Sequence, residues 1–160
     1  MIKHQYRVTK YDPSFRNESG VYLRHEWTSI SDIGRKFWDG LFTYGAYENA
    51  ETAYIMVAMS FLQEAKESRM RVVELENSRH YPVKFAKGSA LEINDLETVI
   101  RQVLREEYWC RLESEQCFLH FGYDYYMYIG VPSVCPESVE LASQVGLHVE
   151  PRLSPYNSRL

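Results

Sequence analysis

Hydrophobic and polar positions alternate in some stretches of the chain and recur every three to four residues in others, which predicts strands and helices respectively. In the N-terminal half, alternation over residues 4–11 (HQYRVTKY) predicts a strand, and the turn-forming residues 12–20 separate it from a second strand over residues 21–26. Ser29 and Asp32 have the spacing of a capping box, which predicts a short helix ending near Phe37. An apolar stripe predicts a longer helix over residues 48–67.

The C-terminal half continues the same two patterns. Strands are predicted over residues 69–76, near residue 90, and over residues 108–113, 117–131 and 147–153; helices are predicted after Asn94 and from Pro136 to the exit at Gly146. From residue 69 onward the main elements follow the split βαβ, or ferredoxin-like, order. We therefore expect one α+β domain over residues 1–160, with a ferredoxin-like core over about residues 69–153 and an N-terminal hairpin and helices packed around it.

Composition and charge narrow the function classes. A formal net charge of −4 gives no basic surface, which argues against nucleic acid or an anionic membrane as partner. The first residues carry no apolar stretch of the signal-peptide type, and three cysteines without a CxxC pair are typical of reduced thiols. The expected protein is soluble and cytoplasmic, either a monomer or a small homo-oligomer.

The aromatic run over residues 118–128 is the most unusual feature of a chain with 13 tyrosines. If Ser114 and Glu115 form the turn between two strands, Glu113 pairs with Gln116, and alternation gives the strands a core face and an outward face. The core face carries Cys110, Leu112, Cys117, Leu119, Phe121, Tyr123, Tyr125, Met127, Ile129 and Val131. The outward face carries Trp109, Arg111, Phe118, His120, Gly122, Asp124, Tyr126 and Tyr128, with Trp109 directly opposite His120.

Three interpretations of the outward face remain open. The N-terminal helices cover it, so that its side chains are core; or it binds a protein, because Tyr, Trp and Arg dominate interface energetics; or it forms a tyrosine-lined pocket with His120 as acid or base and Asp124 as its orienting partner. Four residues of extended strand separate that pair by roughly 13 Å, so the third interpretation needs a bulge at Gly122.

Other candidate chemistry is weaker. The histidines and cysteines lack the spacing of a zinc site, and the glycines form neither GxGxxG nor a P-loop, so no metal or cofactor is predicted. Cys110 and Cys117 lie on the predicted core face, where thiols behave as small apolar groups. Glu106 and Glu107 follow a helix and are interpreted as a solvated helix end.

Three segments carry a general resemblance: residues 27–34 (WTSISDIG), 104–112 (LREEYWCRL) and 120–128 (HFGYDYYMY). Together with its size and acidity, they make the chain resemble small, acidic, single-domain bacterial proteins, many of which are cytoplasmic immunity proteins that neutralise secreted toxins. The resemblance implies a non-enzymatic immunity or inhibitor protein that binds a toxin or enzyme partner through Trp109, Arg111, Phe118, His120, Asp124, Tyr126 and Tyr128. The alternative is a small enzyme or ligand-binding domain centred on His120.

Overall fold

A seven-stranded antiparallel sheet organises the chain in the computed structural model, which describes residues 1–157. Its strands lie in the order β5-β4-β6-β7-β8-β1-β9. The strands are β1 (His4–Thr9), β4 (Arg69–Glu76), β5 (Ala90–Glu92), β6 (Trp109–Glu113), β7 (Phe118–Phe121), β8 (Met127–Val131) and β9 (His148–Pro151), and a separate hairpin joins β2 (Lys36–Phe37) to β3 (Gly40–Leu41). The helices are α1 (Tyr44–Glu64), α2 (Leu96–Leu104) and α3 (Pro136–Gln144).

The helices cover one face of the sheet. Thr43 caps α1 by accepting a hydrogen bond from the amide of Ala46 at 3.2 Å, and the Phe61 ring of this helix lies 5.6 Å from Tyr6 on β1. Glu51 of α1 is 2 % exposed and receives two hydrogen bonds from Arg105, at 2.8 and 2.9 Å, just after α2. Burial opposes ionisation of Glu51, but the arginines outweigh it and hold the pKa of its carboxyl below the ordinary value.

The predicted α+β class is confirmed, whereas the ferredoxin-like arrangement is not. Strand β1 lies inside the sheet, paired with both β8 and β9, rather than in an added hairpin at its edge. Residues 117–131 were predicted to form one long strand, but they form two strands, β7 and β8, joined by a turn. Because β1 separates β9 from the other C-terminal strands, those strands cannot close a ferredoxin-like core on their own.

Several local predictions also change. Ser29 accepts a hydrogen bond from the Ser31 amide as expected, but it caps only a 3-10 turn over Ile30–Asp32, and no helix reaches Phe37. The strand predicted over residues 21–26 reduces to a single bridge between Arg16 and Tyr22. Strand β4 and the exit of α3 near Gly146 agree with prediction.

The pairing of β6 with β7 is shifted by two residues from the predicted register. Glu113 pairs with Phe118 instead of Gln116, because the turn is two residues longer. An even shift leaves every side chain on its predicted face, since the side-chain period of a strand is two. The prediction that Trp109 lies opposite His120 is wrong, because the observed register, continued, brings Arg111 to that position.

A turn between β7 and β8 replaces the middle of the predicted long strand. The Gly122 amide donates a hydrogen bond to the Tyr126 carbonyl at 2.8 Å, and Asp124 and Tyr125 have φ angles of 59° and 65°. Tyr123, predicted to be core, is 81 % exposed at the tip of this turn. Tyr125 is buried as predicted, although it reaches the core from a turn and not from a strand.

Candidate functional site

The outward face is covered at one end by the C-terminal tail, residues 152–157, and not by the N-terminal helices. Ser154 of the tail is 4 % exposed, and its amide donates to Gln5 Oε1 at 3.1 Å. The backbone carbonyl of Tyr156 accepts a hydrogen bond from Arg111. The Tyr156 ring lies 5.7 Å from the Trp109 ring and 6.2 Å from the Tyr128 ring. The outward half of the aromatic run is therefore partly enclosed by the chain itself.

His120 lies at the centre of the covered end and is fully buried. Its Nε2 is 3.0 Å from Glu113 Oε1, its Nδ1 is 2.8 Å from Ser154 Oγ, and its ring stacks on Phe118 at 4.2 Å. A carboxylate, an imidazole and a hydroxyl thus form a continuous hydrogen-bonded chain beneath the tail. These bonds satisfy buried polar groups, which hold the tail on the sheet.

The other end of the aromatic run is open. The turn over residues 122–126 borders a cleft of about 250 Å³, closed on its other sides by the ends of β4 and α2 and by the start of β6. We call this the acidic cleft. Its lining residues are Thr28, Glu76, Ser78, Arg79, Val103, Leu104, Glu106, Glu107, Tyr108, Trp109, Phe121, Gly122, Tyr123, Asp124, Tyr125 and Tyr126.

The carboxylates of the acidic cleft form no ion pair in the described part of the chain, although Glu106 Oε2 accepts a hydrogen bond from the Ser29 hydroxyl at 3.1 Å. Four of them line it (Glu76, Glu106, Glu107 and Asp124), and within residues 1–157 none forms an ion pair. Arg79 is the one cationic side chain in the described lining. One oxygen of Glu107 is buried without a hydrogen-bond partner. Elsewhere the chain pairs the buried Glu51 with two arginines, and the half-buried Glu150 with Arg7 and Arg16.

The backbone at the end of α2 places two of these acids against local preference. The Glu106 amide bonds to the Val103 carbonyl and the Glu107 amide to the Gln102 carbonyl, which is a Schellman helix end. Glu106 occupies its left-handed position, with φ 58°, where glycine is usual. Negative charge is also unfavourable at a helix C-terminus, because the backbone carbonyls there carry the negative end of the helix dipole.

Aromatic side chains form the walls of the acidic cleft and are held in place. The Trp109 indole donates to the Phe121 carbonyl at 2.8 Å, and the Tyr108 hydroxyl to Gln102 Oε1 at 2.7 Å. The Tyr11 hydroxyl donates to the Asp124 carbonyl at 2.6 Å, and burial raises the pKa of this hydroxyl above its ordinary value. These hydrogen bonds orient the aromatic side chains, and none of them uses a carboxylate of the cleft as its acceptor.

The buried ring of Tyr125 anchors the turn from the opposite side. It lies 4.9 Å from the Trp27 ring and 4.8 Å from the Tyr54 ring, and its carbonyl accepts a hydrogen bond from the Tyr54 hydroxyl at 2.8 Å. A left-handed conformation costs about 1–3 kcal/mol in a bulky residue and persists only where its surroundings fix it. This packing holds Asp124, the neighbouring residue, at the mouth of the cleft.

The structure divides the predicted site residues into two groups. Trp109, Asp124 and Tyr126 line the acidic cleft, whereas Arg111, Phe118, His120 and Tyr128 do not. Sequence reasoning missed Glu76, and it interpreted Glu106 and Glu107 as a solvated helix end and not as part of a site. The available signal was the missing glycine after α2: a helix end that carries two glutamates in that position is unusual.

The geometry required for His120 as a pocket acid or base is not observed. His120 does not line the acidic cleft. Its hydrogen-bond partners are Glu113 on the sheet and Ser154 in the tail, and neither lies in the turn. Asp124 lies in that turn and is exposed.

Comparisons with known protein families, proteins and structures identified no relative of this chain. No protein-family model matches the chain, and neither the curated proteins nor the solved structures contain a match. Within residues 1–157, no helix has the length and apolar character that a membrane crossing requires. In the same part of the chain, no three His, Cys, Asp or Glu side chains are grouped as ligands for a metal ion.

Proposed function

We propose that this chain is a non-enzymatic protein-binding module of the immunity or inhibitor type, in which the acidic cleft receives a basic side chain of a toxin or enzyme partner. The observation that carries the proposal is the set of four cleft carboxylates, none of which forms an ion pair within residues 1–157. The three cysteines are free and buried, which suits action in the reducing cytoplasm.

The chemistry of the acidic cleft favours an ammonium or guanidinium group. Carboxylates attract such a cation, and the rings of Tyr108, Trp109 and Tyr126 add cation–π attraction. A volume of about 250 Å³ is below the roughly 300–1,000 Å³ of pockets for drug-sized ligands and suits one inserted side chain. A partner cation in the cleft would also offset the negative charge of Glu107, one oxygen of which is buried without a hydrogen-bond partner.

The end of α2 has an unfavourable backbone conformation and unfavourable charges, and this supports the same proposal. Glu106 holds a left-handed conformation and, with Glu107, places negative charge at the end of α2. Residues that go against the local preferences for backbone conformation and charge are expected at functional sites. Apart from the hydrogen bond that Ser29 donates to Glu106, the described residues give these two charges no partner, so a binding role would account for their retention.

Site-specific photo-crosslinking tests the proposal. Tyr123, 81 % exposed at the rim of the cleft, is replaced by p-benzoylphenylalanine, and the protein is irradiated in an extract of the organism that carries the gene. We expect one discrete protein adduct, identified by mass spectrometry. Adding Glu106→Gln and Glu107→Gln to the same chain should reduce the adduct at least about tenfold, the effect of losing roughly 1.4 kcal/mol of charge pairing.

Leu41 provides the matched control position, because it is 60 % exposed and lies outside the cleft lining. The same crosslinker there should give no adduct that depends on Glu106 and Glu107. Equal labelling at the two positions, or an adduct at Tyr123 that survives neutralisation of both glutamates, would contradict recognition of a basic side chain by the cleft.

A further inference from the structure

Within residues 152–157, the side-chain contacts of the tail with the sheet centre on two anchor residues, Ser154 and Tyr156, rather than on broad apolar burial. Ser154 is buried, and Tyr156 is partly buried, whereas Leu153 is 63 % exposed and Pro155 is exposed between the anchors. Residues 152–154 form no regular secondary structure. Segments with few buried apolar contacts open at lower free energy than the rest of a domain, so this tail has the character of a locally opening unit.

The surface beneath the tail is shaped for a particular short segment. His120 Nδ1, 2.8 Å from Ser154 Oγ, engages a hydroxyl, while the Gln5 side chain accepts the amide of the same residue. Two residues further on, Arg111 donates to the backbone carbonyl of Tyr156. The rings of Trp109, His120 and Tyr128 surround the Tyr156 ring at 5.7, 6.3 and 6.2 Å.

We infer that this surface is a second binding site, a groove for an extended partner segment with a hydroxyl residue two positions before an aromatic residue. In the free protein the tail fills the groove as an intramolecular substitute, which a partner segment displaces. The kind of occupant follows from the tail itself: a hydroxyl for His120, an amide for Gln5, a carbonyl for Arg111, and a ring for the three aromatic side chains. The inference concerns the covered end of the outward face, which shares Trp109 with the lining of the acidic cleft but does not depend on the cleft carboxylates.

Amide hydrogen exchange of the full chain tests whether the tail opens locally. The amide of residue 154 should exchange at least about a hundredfold faster than the slowest sheet amides, because local opening needs less free energy than global unfolding. Ser154→Ala removes the bond to His120 and should increase that rate about tenfold further while the sheet amides change little. Equal exchange of tail and sheet amides would overturn the inference.

Ser138→Ala is the matched control. Ser138 is also a fully buried serine, but its hydroxyl donates to Glu64 Oε2 at 2.7 Å, at the start of α3 and away from the tail. This variant should leave the ratio of tail exchange to sheet exchange unchanged. A rise in that ratio equal to the rise in Ser154→Ala would show that any loss of a buried hydroxyl loosens the tail, which contradicts specific anchoring.

A peptide supplied in trans tests the groove itself. The probe is fluorescein-labelled Arg-Leu-Ser-Pro-Tyr-Asn-amide, the sequence of residues 152–157, and the acceptor is the full chain with Ser154→Ala and Tyr156→Ala. Fluorescence anisotropy should show binding at least about tenfold tighter than to the unmodified chain, whose own tail competes at a local concentration in the millimolar range. A peptide with alanine in place of its serine and tyrosine should not bind.

Three results would overturn or redirect this inference. Failure of the folded double variant to bind the probe would remove the groove, and equal binding of the alanine peptide would remove its specificity. A concentration-dependent dimer of the unmodified chain that the probe dissociates would assign the groove to the tail of a second copy instead of a partner. Glu106→Gln with Glu107→Gln should not change probe binding, so this test and the cleft test fail separately.

Discussion

Ionisable side chains have partners within the protein at one end of the aromatic run and have no cationic partner among the described residues at the other end. At the covered end, His120 and Glu113 lie beneath the tail and hydrogen-bond to each other. At the open end, Asp124 and Glu107 border a cleft and have no cationic partner within residues 1–157. One end therefore uses polar groups to fix the fold, and the other retains charge that the fold does not use. This difference is the basis of our proposal that the open end binds an external cation.

The largest expected effect is steric and belongs to the covered end. Gly130 packs under the Phe118 ring, and a Cβ atom there would lie 2.3 Å from that ring. Because Phe118 is 1 % exposed and stacks on His120, it has no free space to enter. Gly130→Ala should lower the free energy of unfolding by about 3 kcal/mol, measured by urea denaturation.

Gly122→Ala is the counterpart of Gly130→Ala at the open end. The added Cβ would lie 3.2 Å from Tyr126 and 3.3 Å from Tyr128, distances that a shift of a few tenths of an ångström relieves. We expect a loss of about 1 kcal/mol or less. Equal losses at the two glycines would show that the open end is packed as rigidly as the covered end.

The next effect compares a paired acid with the unpaired acids of the cleft. Hydrogen bonds from Arg16 and Arg7 lower the pKa of Glu150 to about 2 from an ordinary value of 4.5. The stability that this pair contributes is therefore present above about pH 4.5 and is lost as the pH falls toward about 2. Glu150→Gln should cost about 1–2 kcal/mol at pH 7, after allowance for solvent screening, and no more than a few tenths of a kcal/mol near pH 2.

Glu107→Gln is the matched substitution in the cleft. It removes a charge that has no cationic partner, so the free energy of unfolding at pH 7 should stay constant or rise by a few tenths of a kcal/mol. Unfolding curves of both variants between pH 2 and pH 7 provide the measurement. A loss at Glu107 as large as the loss at Glu150 would mean that the fold itself uses the cleft charge.

The sequence was sufficient to assign the side chains of strands β6, β7 and β8 to faces, but it placed Tyr123 wrongly and did not show what covers the outward face. Alternation placed Phe118, His120 and Tyr128 together on the outward face despite the two-residue error in register, because an even shift preserves faces. The turn at Asp124 and Tyr125 could not be predicted, since two consecutive non-glycine residues in the left-handed region are rare. Ser154 and Tyr156 belong to no apolar pattern, and their covering role depends on distant partners.

A last pair of substitutions separates the function of the cleft from its contribution to stability. Lys66 and Glu106 occupy the same left-handed position at the ends of α1 and α2, with φ angles of 57° and 58°, and both are exposed. Gly146 occupies the corresponding position after α3 and shows the residue that this geometry prefers. Lys66→Gly and Glu106→Gly should therefore each raise the free energy of unfolding by about 1 kcal/mol, measured by urea denaturation.

Only one of these two variants removes a charge from the acidic cleft. Glu106→Gly should weaken crosslinking through position 123, whereas Lys66→Gly should leave it unchanged, because Lys66 does not line the cleft. A stabilised Glu106→Gly variant that still forms the adduct would assign the glutamate no part in binding. A stabilised variant that loses the adduct would show that the chain gives up stability at this helix end to keep a carboxylate for its partner.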